Sequence, residues 1–457
     1  MNNFYISSIP TCGRVHFIGI GGISMSGLAE ILLGQGYSIS GSDITATHIT
    51  RKLQSLGMDI HPDGHNAAYA IGVDLVVYTA AVKPDNAELA KAAELGIPAI
   101  ERATLLGALM REYTHSICIA GTHGKTTTTS MMAHVLMAAQ LDPTITNGGE
   151  LDLIGGNIRV GGNGYFLTEA CEYSNSFLQF FPTVAVITNV EFDHPDFFAD
   201  LDDFKRSFTQ FASIPGTNGT IVVCGDDKNA MDCTSGASAK VVTYGMDKSN
   251  DIYPKNLRYN TGYGAYTINV GEADVELNVP GAHNVLNSLA CFAAGLALGI
   301  DIETIARGIH SFKGVHRRFE KRGTINGAAV IDDYAHHPTE IRCTIAAAKS
   351  ITDKNVTVVF QPHTYSRTRS LLDDFASALS GADKIIITDI YAAREKDEGV
   401  VHSKDLADKI AQLGTDTLYM SAFEDIVKKV TADANPGDII IVMGAGTVTH
   451  IAGMIAE

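Results

Sequence analysis

The chain has 457 residues, 45% of them hydrophobic and 19% charged, proportions close to globular averages that exclude both a disordered polymer and a fibrous protein. At roughly 100 to 200 residues per domain it holds about two to four domains, which excludes a single small binding module. Its 34 Lys and Arg against 51 Asp and Glu give a formal net charge of −17, a field that repels nucleic acid and anionic lipid, so an anionic ligand must be held by a local site.

The beginning MNNFYISSIP lacks a basic segment followed by an apolar stretch, and the most apolar later run, residues 289–300, is too short to span a bilayer. The seven cysteines are scattered with no C-x-x-C pair, as expected of free thiols in a reducing compartment. A cytoplasmic protein without membrane insertion is the expectation.

Short apolar runs alternate with helix-like stretches, the pattern of parallel sheets covered by helices, and the alternation restarts three times. The first block has strands at 15–18, 37–40, 75–78 and 97–100 and a helix at 26–33, and extends to about residue 112. Its first turn, Gly19-Ile20-Gly21-Gly22-Ile23-Ser24, resembles G-x-G-x-x-G with Ser24 in place of the third glycine, and Asp43 stands where a ribose-binding acid would. Taken alone, this turn points to a dinucleotide-dependent dehydrogenase. Its mechanism requires only a pyrophosphate at a helix N-terminus, which a UDP-sugar supplies as well as NAD does.

The second block opens with a strand at 117–120 and the loop Gly121-Thr122-His123-Gly124-Lys125-Thr126 at the start of a helix, the context of a phosphate cradle. Lys125 would meet the β and γ phosphates and the Thr126 hydroxyl would coordinate Mg²⁺. The loop has two fewer intervening residues than G-x-x-x-x-G-K-[ST]. Glu169-Ala170-Cys171-Glu172 and the segment 189–196 (NVEFDHPD) each follow an apolar strand and point toward this loop. Glu172 with Thr126 suits a hard cation, and His194 is a softer candidate for a second ion. Strands at 184–187 and 221–224 and a helix at 284–298 complete the block near residue 313. The third block has strands at 329–331, 356–360, 384–388 and 439–443. An ATP loop and a separate diphosphate loop in one chain suggest ATP-driven chemistry on a nucleotide-linked substrate.

Four further strings follow in order: Gly281-Ala282-His283-Asn284-Val285-Leu286-Asn287, Gly314-Val315-His316-Arg317-Arg318-Phe319-Glu320, Asp332-Asp333-Tyr334-Ala335-His336-His337-Pro338 and Gln361-Pro362-His363-Thr364-Tyr365-Ser366-Arg367-Thr368-Arg369. With the loop running on to Thr127, this ordered set resembles the Mur ligases over essentially the whole chain. The resemblance implies an α/β fold of three domains. These are a Rossmann-like UDP-substrate domain at 1–112, a central P-loop ATPase-like domain with a mostly parallel sheet at 113–313, and a Rossmann-like, amino-acid-binding and closing domain at 314–457.

By the same resemblance, Gly19, Gly21, Gly22 and Ser24 hold the UDP part of the substrate. ATP is bound by Gly121, Thr122, His123, Gly124, Lys125, Thr126 and Thr127, with His283 and Asn284 on the adenine side, Asp333 near the ribose and Arg318 on the phosphates. Thr126, Glu172 and His194 are the metal ligands for one or two Mg²⁺, with Mn²⁺ able to substitute, and Lys125, Glu172, His194 and Arg318 form the catalytic set. His363 and Arg367 grip the amino acid. The implied reaction joins L-alanine to the lactyl carboxylate of UDP-N-acetylmuramate through an acyl phosphate, in the bacterial cytoplasm; oligomeric state stays open.

Alternatives are a related ligase adding a recycled tripeptide, an NAD-dependent oxidoreductase and a non-catalytic nucleotide-binding regulator. Residues 169–176 read EACEYSNS where many relatives carry a more acidic string. As bland readings, residues 336–338 are a helix-opening turn, Arg317-Arg318 a solvated charge pair, and Gly444-Ala445-Gly446 a structural turn.

Overall fold

Four sheets organise the computed structural model, which describes residues 4–79, 81–393 and 395–456. The first holds, in spatial order, Asp59–His61, Ser38–Ser42, Arg14–Ile18, Leu75–Tyr78 and Ala99–Glu101, all parallel. The chain reverses direction across this sheet at Arg14–Ile18, so the crevice beyond that strand's C-terminal end is the switch point where such sheets bind ligands. The glycine turn at 19–22 lies there and leads into the helix Ile23–Gly34.

The central sheet runs Lys240–Tyr244, Thr220–Cys224, Val184–Ile187, His115–Ala120, Tyr165–Glu169, Thr144–Leu151 and Gly156–Arg159. Only its last pair is antiparallel. Val184–Ile187 is buried at every position, as a parallel strand covered on both faces must be.

A separate antiparallel sheet of Pro254–Asn260, Tyr263–Ile268 and Asp274–Pro280 adds a wall that was not foreseen from the sequence. Its alternating burial in Asp274–Pro280 is that of a sheet with one wet face. The last sheet holds Glu320–Ile325, Ala328–Asp333, Ile439–Met443, Val356–Phe360, Lys384–Ile387 and Asp416–Tyr419, parallel except for the first pair.

One apolar cluster runs from Phe17 and Leu28 of the first sheet's layer through Leu106 and Leu109 to Phe177 and Phe208 beside the central sheet. The N-terminal and central layers therefore share a core through the helix Arg102–Met110. Gly107 makes the close approach: a Cβ there would lie 1.8 Å from the Gln179 carbonyl oxygen. The last sheet has its own clusters on its two faces. Among the described residues no helix is long and apolar enough to cross a membrane.

Candidate functional site

The strand His115–Ala120 ends in Gly121, and Gly124 caps the helix Lys125–Ala138 with no side-chain hydrogen bond at its N-terminus. The first amides of that helix are thus left to an anion. Both glycines are obligatory. Gly121 has φ +136° and a Cβ would sit 2.0 Å from Thr188 Oγ1, while Gly124 has φ +81° and a Cβ would sit 2.8 Å from Asn287 Oδ1. The segment after Val184–Ile187 braces the loop. Thr122 Oγ1 donates to the Glu191 carbonyl at 2.8 Å, and the His123 amide donates to Asn189 Oδ1 at 2.8 Å.

Lys125 Nζ folds back to donate to the carbonyls of Gly121 (2.5 Å) and Thr122 (3.0 Å) and to Glu172 Oε1 (3.1 Å). Glu172 is buried, and against the cost of that burial Lys125 and His194 hold its carboxyl below the usual value. His194 Nε2 lies 3.4 Å from Glu172 Oε1. Glu172 Oε2 is buried with no aligned hydrogen bond and lies 3.0 Å from Lys125 Nζ, so a metal ion here would share this carboxylate with the lysine. The Glu172 carboxylate and the Thr126 hydroxyl at a phosphate loop are the hard oxygen donors that Mg²⁺ or Mn²⁺ takes, and the His194 imidazole is a softer donor beside them.

The last sheet's domain supplies the opposite wall of a cleft of about 970 Å³, lined by Thr127, His283, Asn284, Arg318, Asp333 and Glu340 among others. Arg318 Nη2 reaches Thr126 Oγ1 at 3.4 Å, and Arg317 Nη2 donates to the Gly444 carbonyl at 2.8 Å. Both guanidinium groups lie within 4.9 Å of the Tyr334 ring centre. The two arginines are therefore held by packing and hydrogen bonds, unlike a solvated pair, and Arg318, expected on the phosphates, lines the cleft. Gly444 and Gly446 form a turn whose carbonyls both face Arg317.

Asp333 accepts from the amides of Phe319 (2.7 Å) and Ala335 (2.8 Å), and burial pushes its carboxyl up to about 6. It shapes the arginine loop while lining the cleft. Burial holds His283 neutral by pushing it down to about 4. Asn284 is tied to the Pro280 carbonyl at 2.7 Å and to Asn287 at 3.0 Å.

Of the two residues expected to grip the amino acid, Arg367 is buried and donates from Nε (3.2 Å) and Nη2 (2.9 Å) to Asp193 Oδ1. Its Nη1 faces His363 Nδ1 at 3.2 Å. Burial, then Arg367, pushes His363 down to about 4, whereas Arg367 keeps the buried Asp193 carboxyl far below the usual range despite that burial.

At the N-terminal switch point Gly19 has φ +79°, Gly22 caps its helix without a side-chain bond, and Ser24 is exposed. Asp43 Oδ2 accepts the Gly21 amide at 2.8 Å, and Oδ1 accepts the Ile44 amide at 2.8 Å. Asp43, which stands where a ribose-binding acid would, thus braces the glycine turn.

Sequence reasoning assigned no role to Glu340, Thr339 or Asn287 and left Glu191 and Asp193 open. Glu340 Oε1 lies 3.2 Å from His123 Nδ1, and Glu191 Oε2 lies 3.1 Å from His123 Nε2. The residues 336–338 do open a helix: His337 caps Pro338–Ile351, with Pro338 in its first turn. In addition, the His337 ring sits 4.6 Å from that of His123. In the divergent string 169–176, Ser174 and Asn175 both have positive φ, and Asn175 is bonded to Ser207, a structural use.

Comparison with known proteins gives three family matches: residues 14–114 to the Mur ligase family catalytic domain, 119–295 to the Mur ligase middle domain and 317–446 to the Mur ligase glutamate ligase domain. A UDP-N-acetylmuramate–L-alanine ligase of Acetivibrio thermocellus is 50% identical over 97% of this chain and 96% of its own length. The solved UDP-N-acetylmuramate–alanine ligase of Thermotoga maritima is 30% identical and superposes with a TM-score of 0.79 over 97% of this chain and 98% of that one. A murein peptide ligase of Psychrobacter arcticus is 25% identical, with a TM-score of 0.69 over 97% and 98%.

Proposed function

The chain belongs to the Mur ligase family, and we propose that it is an ATP-dependent ligase forming the amide between L-alanine and the lactyl carboxylate of UDP-N-acetylmuramate, in peptidoglycan precursor synthesis. One observation carries the chemistry: the phosphate loop with Lys125 and Glu172 receives Arg318 from another domain, so cations and an acid converge at one helix N-terminus.

A carboxylate and an amine do not condense in water until the carboxylate gains a leaving group. In the proposed route a carboxylate oxygen attacks the γ-phosphorus of ATP, ADP departs, and an acyl phosphate forms. The amine nitrogen then attacks the acyl carbon, and the tetrahedral intermediate expels phosphate that retains the substrate's oxygen. Lys125 and Arg318 neutralise charge on the transferred group, and positioning does most of the rest. Thr126, Glu172 and His194 would hold Mg²⁺, which supplies charge neutralisation at the phosphates. Arg367 and His363 sit beside Asp193 at the domain boundary, where a docked domain excludes water that would hydrolyse the acyl phosphate.

The test is phosphate release from ATP and Mg²⁺ with UDP-N-acetylmuramate, comparing L-alanine, L-serine, glycine and a tripeptide. Release that needs both sugar nucleotide and L-alanine supports the assignment; tripeptide-only release assigns the recycling reaction instead.

A further inference from the structure

His123 belongs to the phosphate loop, yet its ring is held by two carboxylates of different domains. Nε2 is 3.1 Å from Glu191 Oε2 in the central domain, and Nδ1 is 3.2 Å from Glu340 Oε1 in the first turn of the helix Pro338–Ile351. Thr339, the preceding residue of that helix, donates from Oγ1 to Glu191 Oε1 at 2.8 Å. Four side chains thus close a ring across the boundary between the nucleotide loop and the last domain. An imidazole that donates from both nitrogens is an imidazolium, and the two carboxylates push the His123 value up to about 9 although burial opposes it.

The ring also reaches the amino-acid side. Glu340 Oε2 accepts the His336 amide at 3.0 Å, and the His336 ring stands 5.9 Å from that of His363, which faces Arg367. The donors of His123, Glu191 and His337 lie within 4.8 Å of one another, close enough for a cation. The geometry favours the proton-bridged form, because both His123 nitrogens already face carboxylates at hydrogen-bond distance and His337 Nδ1 receives the Thr339 amide at 3.4 Å.

We propose that Glu340 and Thr339 are positioning residues that, through His123 and Glu191, couple the phosphate loop to docking of the last domain and so couple nucleotide binding to amino-acid binding. Neither needs to touch a substrate. A ligand that orders the loop around His123 favours the docked domain, and by linkage the docked domain favours that ligand. This inference rests on the proposed ligase function for its choice of amine.

The experiment is a double-mutant cycle of H123N and E340Q, reading KM for ATP, KM for L-alanine and kcat, with UDP-N-acetylmuramate binding at the N-terminal domain as the check of folding. Each single change is expected to raise both KM values about tenfold, the scale of one charged hydrogen bond, and the double variant should be no worse than the poorer single. Additive effects, or E340Q altering only the L-alanine KM while H123N alters only that of ATP, would overturn the coupling. T339V provides a second entry into the same ring and should move the same two constants if E340Q does not fold.

Small-angle scattering separates a failure of coupling from a failure of the functional assignment, since it needs no amine. E340Q and T339V should have a larger radius of gyration than the wild type, reduced again by a non-hydrolysable ATP analogue. Scattering identical to the wild type in both variants would contradict the proposal whatever the substrate is.

Discussion

Arg367 and Asp193, 174 residues apart in sequence, meet as an ion pair at 2.9 Å with only 6% of each side chain exposed. The pair joins the last domain to the loop that follows a central strand, one residue before His194. Removing one partner of such a pair leaves an uncompensated buried charge, at a cost of about 3 to 5 kcal/mol. D193A should therefore lower the midpoint of thermal unfolding and depress turnover, whereas a variant with unchanged stability and activity would show that the docked pair is dispensable.

The phosphate loop should tolerate no side chain at Gly121. With φ +136° and Thr188 Oγ1 in the way, G121A must distort the loop. We expect ATP affinity to fall at least about tenfold, the effect of roughly 1.4 kcal/mol, while binding of the UDP-substrate, which is proposed to occupy another sheet, stays within twofold of about the wild-type value. Equal loss of both would mean that the two loops are not separate sites.

Lys125 should be needed for turnover rather than for the fold. K125A is expected to cut kcat by about 100-fold or more, as loss of one charge-stabilising donor does. Circular dichroism and UDP-substrate binding should stay near wild type; near-normal turnover in a folded variant would refute the role.

The domain contact should depend on pH with a definite sign. His123 is raised from 6.5 to about 9, so its contribution is complete below 6.5 and disappears as pH rises through 9. Glu191 is lowered from 4.5 to about 2 by His123 and Thr339 in spite of its burial, so its contribution is present above 4.5 and disappears as pH falls through 2. Thermal stability is expected to decline on the alkaline side of this window, and less so in E340Q, which removes one of the two carboxylates raising His123. An identical alkaline decline in both proteins would exclude His123 as its source.

Asp43 separates two readings of the first glycine turn. Because both of its oxygens brace backbone amides, D43A should weaken UDP-substrate binding by loosening the turn, and neither protein should bind NAD. NAD binding by the wild type that D43A abolishes would restore the dehydrogenase reading.

What could be read from the sequence were features written in contiguous residues. The phosphate loop declares itself because strand, glycines, lysine and helix are adjacent, and Glu172 follows a strand that ends beside it. The contacts from His123 to Glu340 and from Asp193 to Arg367 join residues 217 and 174 positions apart, and nothing local encodes how two domains dock. Arg318 was expected on the phosphates from the string it belongs to, but what holds Arg317 and Arg318 in place, Tyr334 and the Gly444 carbonyl, is remote in sequence from them or from each other. The sheet spanning residues 254–280 carries no continuous apolar run of the kind that marks the parallel strands: Pro254–Asn260 is exposed at most positions, and of its three sequences Asp274–Pro280 has the clean alternation of an antiparallel strand.

The most direct measurement follows oxygen. UDP-N-acetylmuramate labelled with ¹⁸O in its lactyl carboxylate is incubated with ATP, Mg²⁺ and L-alanine, and the phosphate and the sugar nucleotide are analysed by mass spectrometry. Activation by phosphoryl transfer predicts one labelled oxygen in each phosphate released and a product that has gained alanine and lost that oxygen. Unlabelled phosphate, or phosphate released without the alanine adduct, would contradict the account.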